Sequence, residues 1–124
     1  MAKLPFSLIL ETNGEFHTSG ILPGPVTEKC TDDFETQIRN LFANMDEVLN
    51  SKALTARNVR AVEIWITGSP KISPKEFERR YTVFNEAYVK WLGDMEEPPT
   101  RALTGPAKLK SGYAIEMQVH RAVR

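Results

Sequence analysis

Two side chains near the C-terminal end of this sequence have the types and spacing to do chemistry on a small anion. Arg101 follows Pro98-Pro99-Thr100, and Glu116 sits inside the apolar run Tyr113-Ala-Ile-Glu-Met-Gln-Val-His120. A guanidinium is a planar fork that matches a carboxylate at two points. A carboxylate can hold a water and take or return its proton. Strand alternation places Ile115, Met117 and Val119 on one face and Ala114, Glu116, Gln118 and His120 on the other, so Glu116 points away from the core. If the segment around Arg101 pairs with this strand as a hairpin, the two charges reach a common cleft. The same two residues, read without chemistry, make a cross-strand ion pair on a solvated sheet face.

Composition narrows the classes of partner. The chain has 124 residues, enough for one domain with a single core. Sixteen basic residues balance sixteen acidic ones, so there is no net field to hold a polyanion or an anionic membrane, and no nucleic acid is expected. Cys30 is the single cysteine, and His17 and His120 are far apart in sequence, which leaves no internal disulfide and no metal-ligand spacing. No metal and no cofactor are expected. Leu4-Pro-Phe-Ser-Leu-Ile-Leu10 is too short for a membrane span or a signal peptide, and the expectation is a cytoplasmic protein.

The elements that must position the two charges follow from periodicity. Phe6 to Glu11 is apolar and β-prone, and Asn13-Gly14 signals a hairpin into Glu15–Ser19. Gly20-Ile-Leu-Pro-Gly-Pro-Val26 is a turn region that excludes helix and can bring backbone amides close to a ligand. Thr31 is an N-cap candidate with Asp32 and Asp33 in the first turn, and Phe34, Ile38, Leu41, Phe42, Met45, Val48 and Leu49 form the stripe of a helix ending near Ser51. Asn58–Thr67 is a central strand with Val62, Ile64 and Ile66 alternating against Ala61, Glu63 and Trp65. After a Gly-Ser-Pro loop, Ser73-Pro74-Lys75-Glu76 reads as a capping box, Phe77, Tyr81, Phe84, Tyr88 and Trp91 as the second helical stripe, and Gly93 as its C-terminal cap. Arg101 to about Pro106 and Tyr113 to about Val123 are the last strands, joined by Ala-Lys-Leu-Lys-Ser-Gly.

The order ββαβαββ implies an α+β fold, a mixed sheet with both helices on one face. Trp65, Ala61 and Ala114 then fall on the uncovered face. A part-apolar exposed sheet face predicts a homo-oligomer with clefts between subunits.

Thr18-Ser-Gly-Ile-Leu-Pro23, Gln37–Met45, Val59–Ile66, Phe84-Asn-Glu-Ala-Tyr88, Pro99-Thr-Arg101 and Ile115-Glu-Met-Gln-Val119 together resemble the RidA/YjgF family of reactive-intermediate deaminases, over nearly the whole chain. The resemblance implies a chorismate-mutase-like α+β fold, a homotrimer, and an active site in each inter-subunit cleft. It implies that Arg101 binds the substrate carboxylate, that Glu116 holds the hydrolytic water, and that Asn85, Gly20 and the residue at Leu103 line the site. Phe6 stands where the family often has tyrosine, and Leu103 where many members have cysteine.

The reaction implied is hydrolysis of small 2-enamino or 2-imino acids, such as 2-aminoacrylate, to 2-keto acid and ammonia. Three further readings stand beside it. They are a non-catalytic paralogue that binds a small carboxylate or keto acid, a deaminase of a larger catabolic enamine, and the ribonuclease or translation-inhibitor role described for some members. Plainer roles are assigned to the remaining candidates. Tyr88 belongs to the core stripe, the two histidines to the surface or an interface, and Cys30 to an inert position before a helix.

Overall fold

A computed structural model describes residues 5–67, 72–107 and 109–124. Leu4, most of the Gly-Ser-Pro loop after Thr67, and Lys108 lie outside the described residues. The strands are β1 (Ile9–Thr12), β2 (Glu15–Thr18), β3 (Val59–Thr67), β4 (Thr100–Ala107) and β5 (Ile115–Val123). The helices are α1 (Phe34–Asn50) and α2 (Pro74–Leu92), and the chain order is the ββαβαββ expected from the sequence.

The β1–β2 hairpin turns on Asn13 and Gly14, whose φ angles of 52° and 80° are the left-handed pair that this two-residue turn needs. Phe6 stands outside the strand, which begins only at Ile9. Helix α1 starts two residues later than the Thr31 reading, because the Asp33 carboxylate accepts from the Thr36 N–H at 2.8 Å and makes Asp33 the cap. Helix α2 opens on Ser73, which accepts from the Glu76 N–H at 3.0 Å, with Pro74 behind it. The reciprocal half of the capping box does not form. The Glu76 carboxylate is drawn instead to Arg79 and Arg80, and those contacts hold it down at about 2.

The strand order is β1-β2-β5-β3-β4. The expected hairpin of β4 with β5 is therefore wrong: β3 lies between them, parallel to β4 and antiparallel to β5. Helix α2 is the reason. It carries the chain from the end of β3 back to its start, so the next strand must lie parallel beside it, and β5 fills the remaining side.

Register then assigns faces. Val62 pairs with Arg101 on one side and Val119 on the other, while Trp65 pairs with Thr104 and Glu116. Arg101 thus shares the helix-covered face with the buried Val62, Ile64, Met117 and Val119, and Glu116 shares the open face with Trp65. Ala114, expected on the open face, is buried just before β5 begins, where its N–H donates to Gln37 Oε1 at 2.8 Å. The stripes of both helices and the alternate residues of β3 and β5 form one core, with Leu41, Met45, Phe84, Ile64 and Met117 fully buried.

Candidate functional site

The guanidinium of Arg101 emerges from the outer strand β4 beneath helix α2. Residues 81, 85 and 88 recur at the i, i+4, i+7 spacing that puts them on one helix face, and that face looks onto Arg101. Nη1 of Arg101 donates to Asn85 Oδ1 at 2.6 Å, and Nη2 donates to the Tyr81 hydroxyl at 3.2 Å. The cation also rests against aromatic rings, 5.1 Å from the centroid of Tyr88 and 5.9 Å from that of Phe84. Among the described residues no carboxylate lies within ion-pair distance of it. The result is a half-buried guanidinium, held by neutral partners, with its charge uncompensated at close range. Two positions further along β4, Leu103 packs against the core.

Tyr88 is the floor of this arrangement. It is only 5% exposed, and among the described residues its hydroxyl has no hydrogen-bond partner. Burial pushes its phenol up, with Arg101 pulling the other way.

On the opposite face of the sheet, the Glu116 carboxylate lies against Gly20. A Cβ at Gly20 would stand 2.6 Å from Glu116 Oε2, so only glycine permits this approach. The loop carrying Gly20 is tied down on several sides. Ile21 exchanges backbone hydrogen bonds with Met117 at 2.7 and 3.0 Å, Asn44 donates to the Leu22 carbonyl, and the Tyr113 hydroxyl donates to the Pro25 carbonyl. Glu116 has no hydrogen-bonding or ion-pairing side chain against it among the described residues, and burial pushes its carboxyl upward. Burial thus favours the protonated form more than water would, which suits a group that exchanges a proton. Gly20 also borders a groove of about 450 Å³, walled by Phe6, Leu8, Ile21, Val26 and Val48.

The six residues expected at the site thus divide into two groups. Arg101, Asn85 and Leu103 stand on the helix side of β4, while Glu116 and Gly20 meet on the open face and Phe6 lines the groove beside Gly20. A shared cleft for Arg101 and Glu116 within one protomer is overturned, since β3 separates their strands and their side chains take opposite faces. Tyr81 was not singled out as a site residue. The signal was present in its spacing from Asn85, but its hydroxyl gains a role only because β4 comes to lie opposite α2. His120 lies exposed on the open face, 2.8 Å from Glu63. Among the described residues no group of three or more His, Cys, Asp or Glu side chains is placed to hold a metal ion.

Comparison with known proteins adds a second line of observation. Residues 1–123 match the family described as endoribonuclease L-PSP. A RutC family protein of Aquifex aeolicus is 28% identical over 116 residues, covering 93% of this chain and 86% of that protein. The crystal structure of RidA from an Antarctic Psychrobacter species superposes with a TM-score of 0.77 at 22% identity, over 99% of this chain and 92% of that one. Escherichia coli TdcF, solved with bound serine, superposes with a TM-score of 0.72 at 21% identity, over 99% and 91%. At these identities the two solved structures speak for the fold.

Proposed function

The chain belongs to the endoribonuclease L-PSP family, the RidA/YjgF family, and from that premise we propose that it is a hydrolytic deaminase of small 2-enamino and 2-imino acids, acting between the protomers of a homotrimer. One observation carries the proposal. Arg101 and Glu116 are both uncompensated by opposite charge among the described residues, and they face away from each other across the sheet. A single substrate can touch both only if a second copy brings its Glu116 half-site against the Arg101 half-site of the first. The exposed Leu10 and the half-buried Trp65 on the open face support such association.

In this reading the guanidinium grips the substrate carboxylate at two points, which orients the C=N carbon. Glu116 of the adjoining copy holds a water against one face of that carbon. As the C–O bond forms, Glu116 accepts a proton from the water and passes it to the imine nitrogen, giving the neutral carbinolamine. When the carbinolamine collapses, the C–N bond breaks, ammonia leaves, and the carbonyl of the 2-keto acid forms, with Glu116 relaying the proton. The overall balance is imino acid plus water to keto acid plus ammonia. The upward shift of Glu116 suits a group that must both take and return a proton. The serine in TdcF supports a small amino acid carboxylate as the kind of ligand this fold accepts.

A second reading draws on Phe6 and Leu103, which place apolar groups where the family often has a phenol and a thiol. They favour either a carboxylate-binding protein without turnover or a deaminase of a larger enamine, for which the groove beside Gly20 offers room. The deciding experiment supplies freshly generated 2-aminoacrylate and follows keto acid and ammonia. Multiple turnover is expected, with Arg101→Ala lowering the rate about a hundredfold or more. No rate above buffer, or a rate indifferent to Arg101→Ala, overturns the deaminase reading. Arg101-dependent binding without turnover supports the binding protein.

A further inference from the structure

We propose that Tyr81 is a positioning residue that fixes the plane of the Arg101 guanidinium, and so sets the affinity of the site for carboxylate ligands; this rests on the reading of Arg101 as the carboxylate grip. Each terminal nitrogen of a guanidinium carries two N–H groups. Asn85 Oδ1 takes one from Nη1 at 2.6 Å, and the Tyr81 hydroxyl takes one from Nη2 at 3.2 Å. With both terminal nitrogens tied to helix α2, the head group cannot rotate about its long axis, and the remaining N–H groups keep a fixed direction. The rings below exert attraction but no such orientation: Tyr81, Phe84 and Tyr88 lie 6.0, 5.9 and 5.1 Å from the guanidinium carbon, and a cation slides easily over faces of that kind. The hydrogen bonds therefore define the plane, while stacking supplies only contact.

A two-point grip on a carboxylate depends on that plane, because both N–H···O bonds must be straight at once. Tyr81 is suited to this work by what it lacks. It brings no charge, so it orients the guanidinium without neutralising it, where an aspartate or glutamate in the same place would compete with the substrate. Asn85 has the same property. Tyr81 stands four residues before Asn85 on α2, so a one-turn displacement along the same helix face separates the two acceptors.

The test is a double-mutant cycle on binding of 2-oxobutanoate, together with the steady-state constants for 2-aminoacrylate. Tyr81→Phe keeps the ring and the packing. It is expected to weaken 2-oxobutanoate binding and raise KM about three- to tenfold, with kcat nearly unchanged. In an Arg101→Ala background the same change is expected to have no further effect on binding. Carboxylate binding that depends on Arg101 but is unaffected by Tyr81→Phe overturns the positioning role and leaves the reading of the site intact. Equal effects of Tyr81→Phe with and without Arg101 overturn it as well, since a structural role alone gives additivity. If Arg101→Ala itself leaves binding unchanged, the carboxylate grip fails and the role of Tyr81 falls with it.

Discussion

Glu116 is half-buried against a glycine, and desolvation alone raises its carboxyl, so its ionised form is held in the fold at a cost. The sign of the consequence follows from linkage. A carboxyl raised above its unfolded value stabilises the fold only while protonated. That contribution is complete below the ordinary carboxylate range and is lost as pH rises through the raised value. At neutral pH Glu116 therefore destabilises the protein, and Glu116→Gln is expected to raise Tm there, with the advantage disappearing in acid. The same variant is expected to lower the deaminase rate about a hundredfold or more, because amide cannot exchange the proton. Thermal scans at neutral and acid pH beside a rate assay check both halves, and a variant that is less stable at neutral pH defeats the argument. At this scale the sequence was informative about residue types. Arg101 and Glu116 are legible because few side chains grip an anion or hold a water, whereas Asn85 was reached only through the family resemblance. Tyr81 was legible only as a member of an apolar stripe, since its hydroxyl has a use only once another strand is placed beside it.

Among elements, β4 is the one on which the site most depends, because it carries Arg101 at one end and packs under α2 at the other. Gly105 sits there with no room for a side chain: an added Cβ would lie 2.7 Å from Phe77 Cζ and 3.0 Å from the Ile66 carbonyl oxygen. The carbonyl belongs to the central strand and cannot yield, so the ring of Phe77 must move. Gly105→Ala is expected to cost about 1–3 kcal/mol, read as a lower denaturant midpoint at unchanged slope. A midpoint equal to that of the unaltered protein would show that Phe77 swings aside freely. Local signals located most elements to within a residue or two. Asn13-Gly14 gave the hairpin, Ser73-Pro74 the start of α2, and the spacing of Phe34 to Leu49 the length of α1. Two of the errors were local competitions. Asp33 outcompeted Thr31 for the helix cap, and Glu76 turned from the cap to Arg79 and Arg80 because two guanidinium partners outweigh one backbone amide.

For the whole molecule the decisive fact is that Arg101 and Glu116 stand on opposite faces of one sheet. If a site forms where the Arg101 face of one protomer meets the Glu116 face of the next, two inactive variants can complement each other. Arg101→Ala supplies intact Glu116 half-sites and Glu116→Gln supplies intact Arg101 half-sites. Hybrids assembled by unfolding and refolding an equimolar mixture should recover about a quarter of the unaltered activity, the chance that a random neighbouring pair joins the two good halves. Sedimentation should give a trimer for each variant and for the mixture. Recovery no greater than the sum of the separate variants would remove the inter-protomer site, and a monomer in solution would remove it sooner.

The sequence by itself determined the order and type of the elements, the side of β5 from which Glu116 projects, and the residues able to bind an anion or hold a water. These are properties of spacings of two, three and four residues, and local chain geometry sets them. Only the tertiary structure decided that β3 lies between the strands of Arg101 and Glu116, that the two charges look in opposite directions, and that Tyr81 and Asn85 hold the guanidinium between them. Strands adjacent in sequence need not be adjacent in a sheet. The crossover through α2 committed β4 to the far side of β3, and the buried Val62, Ile64 and Ile66 suit β3 to an interior place between β5 and β4.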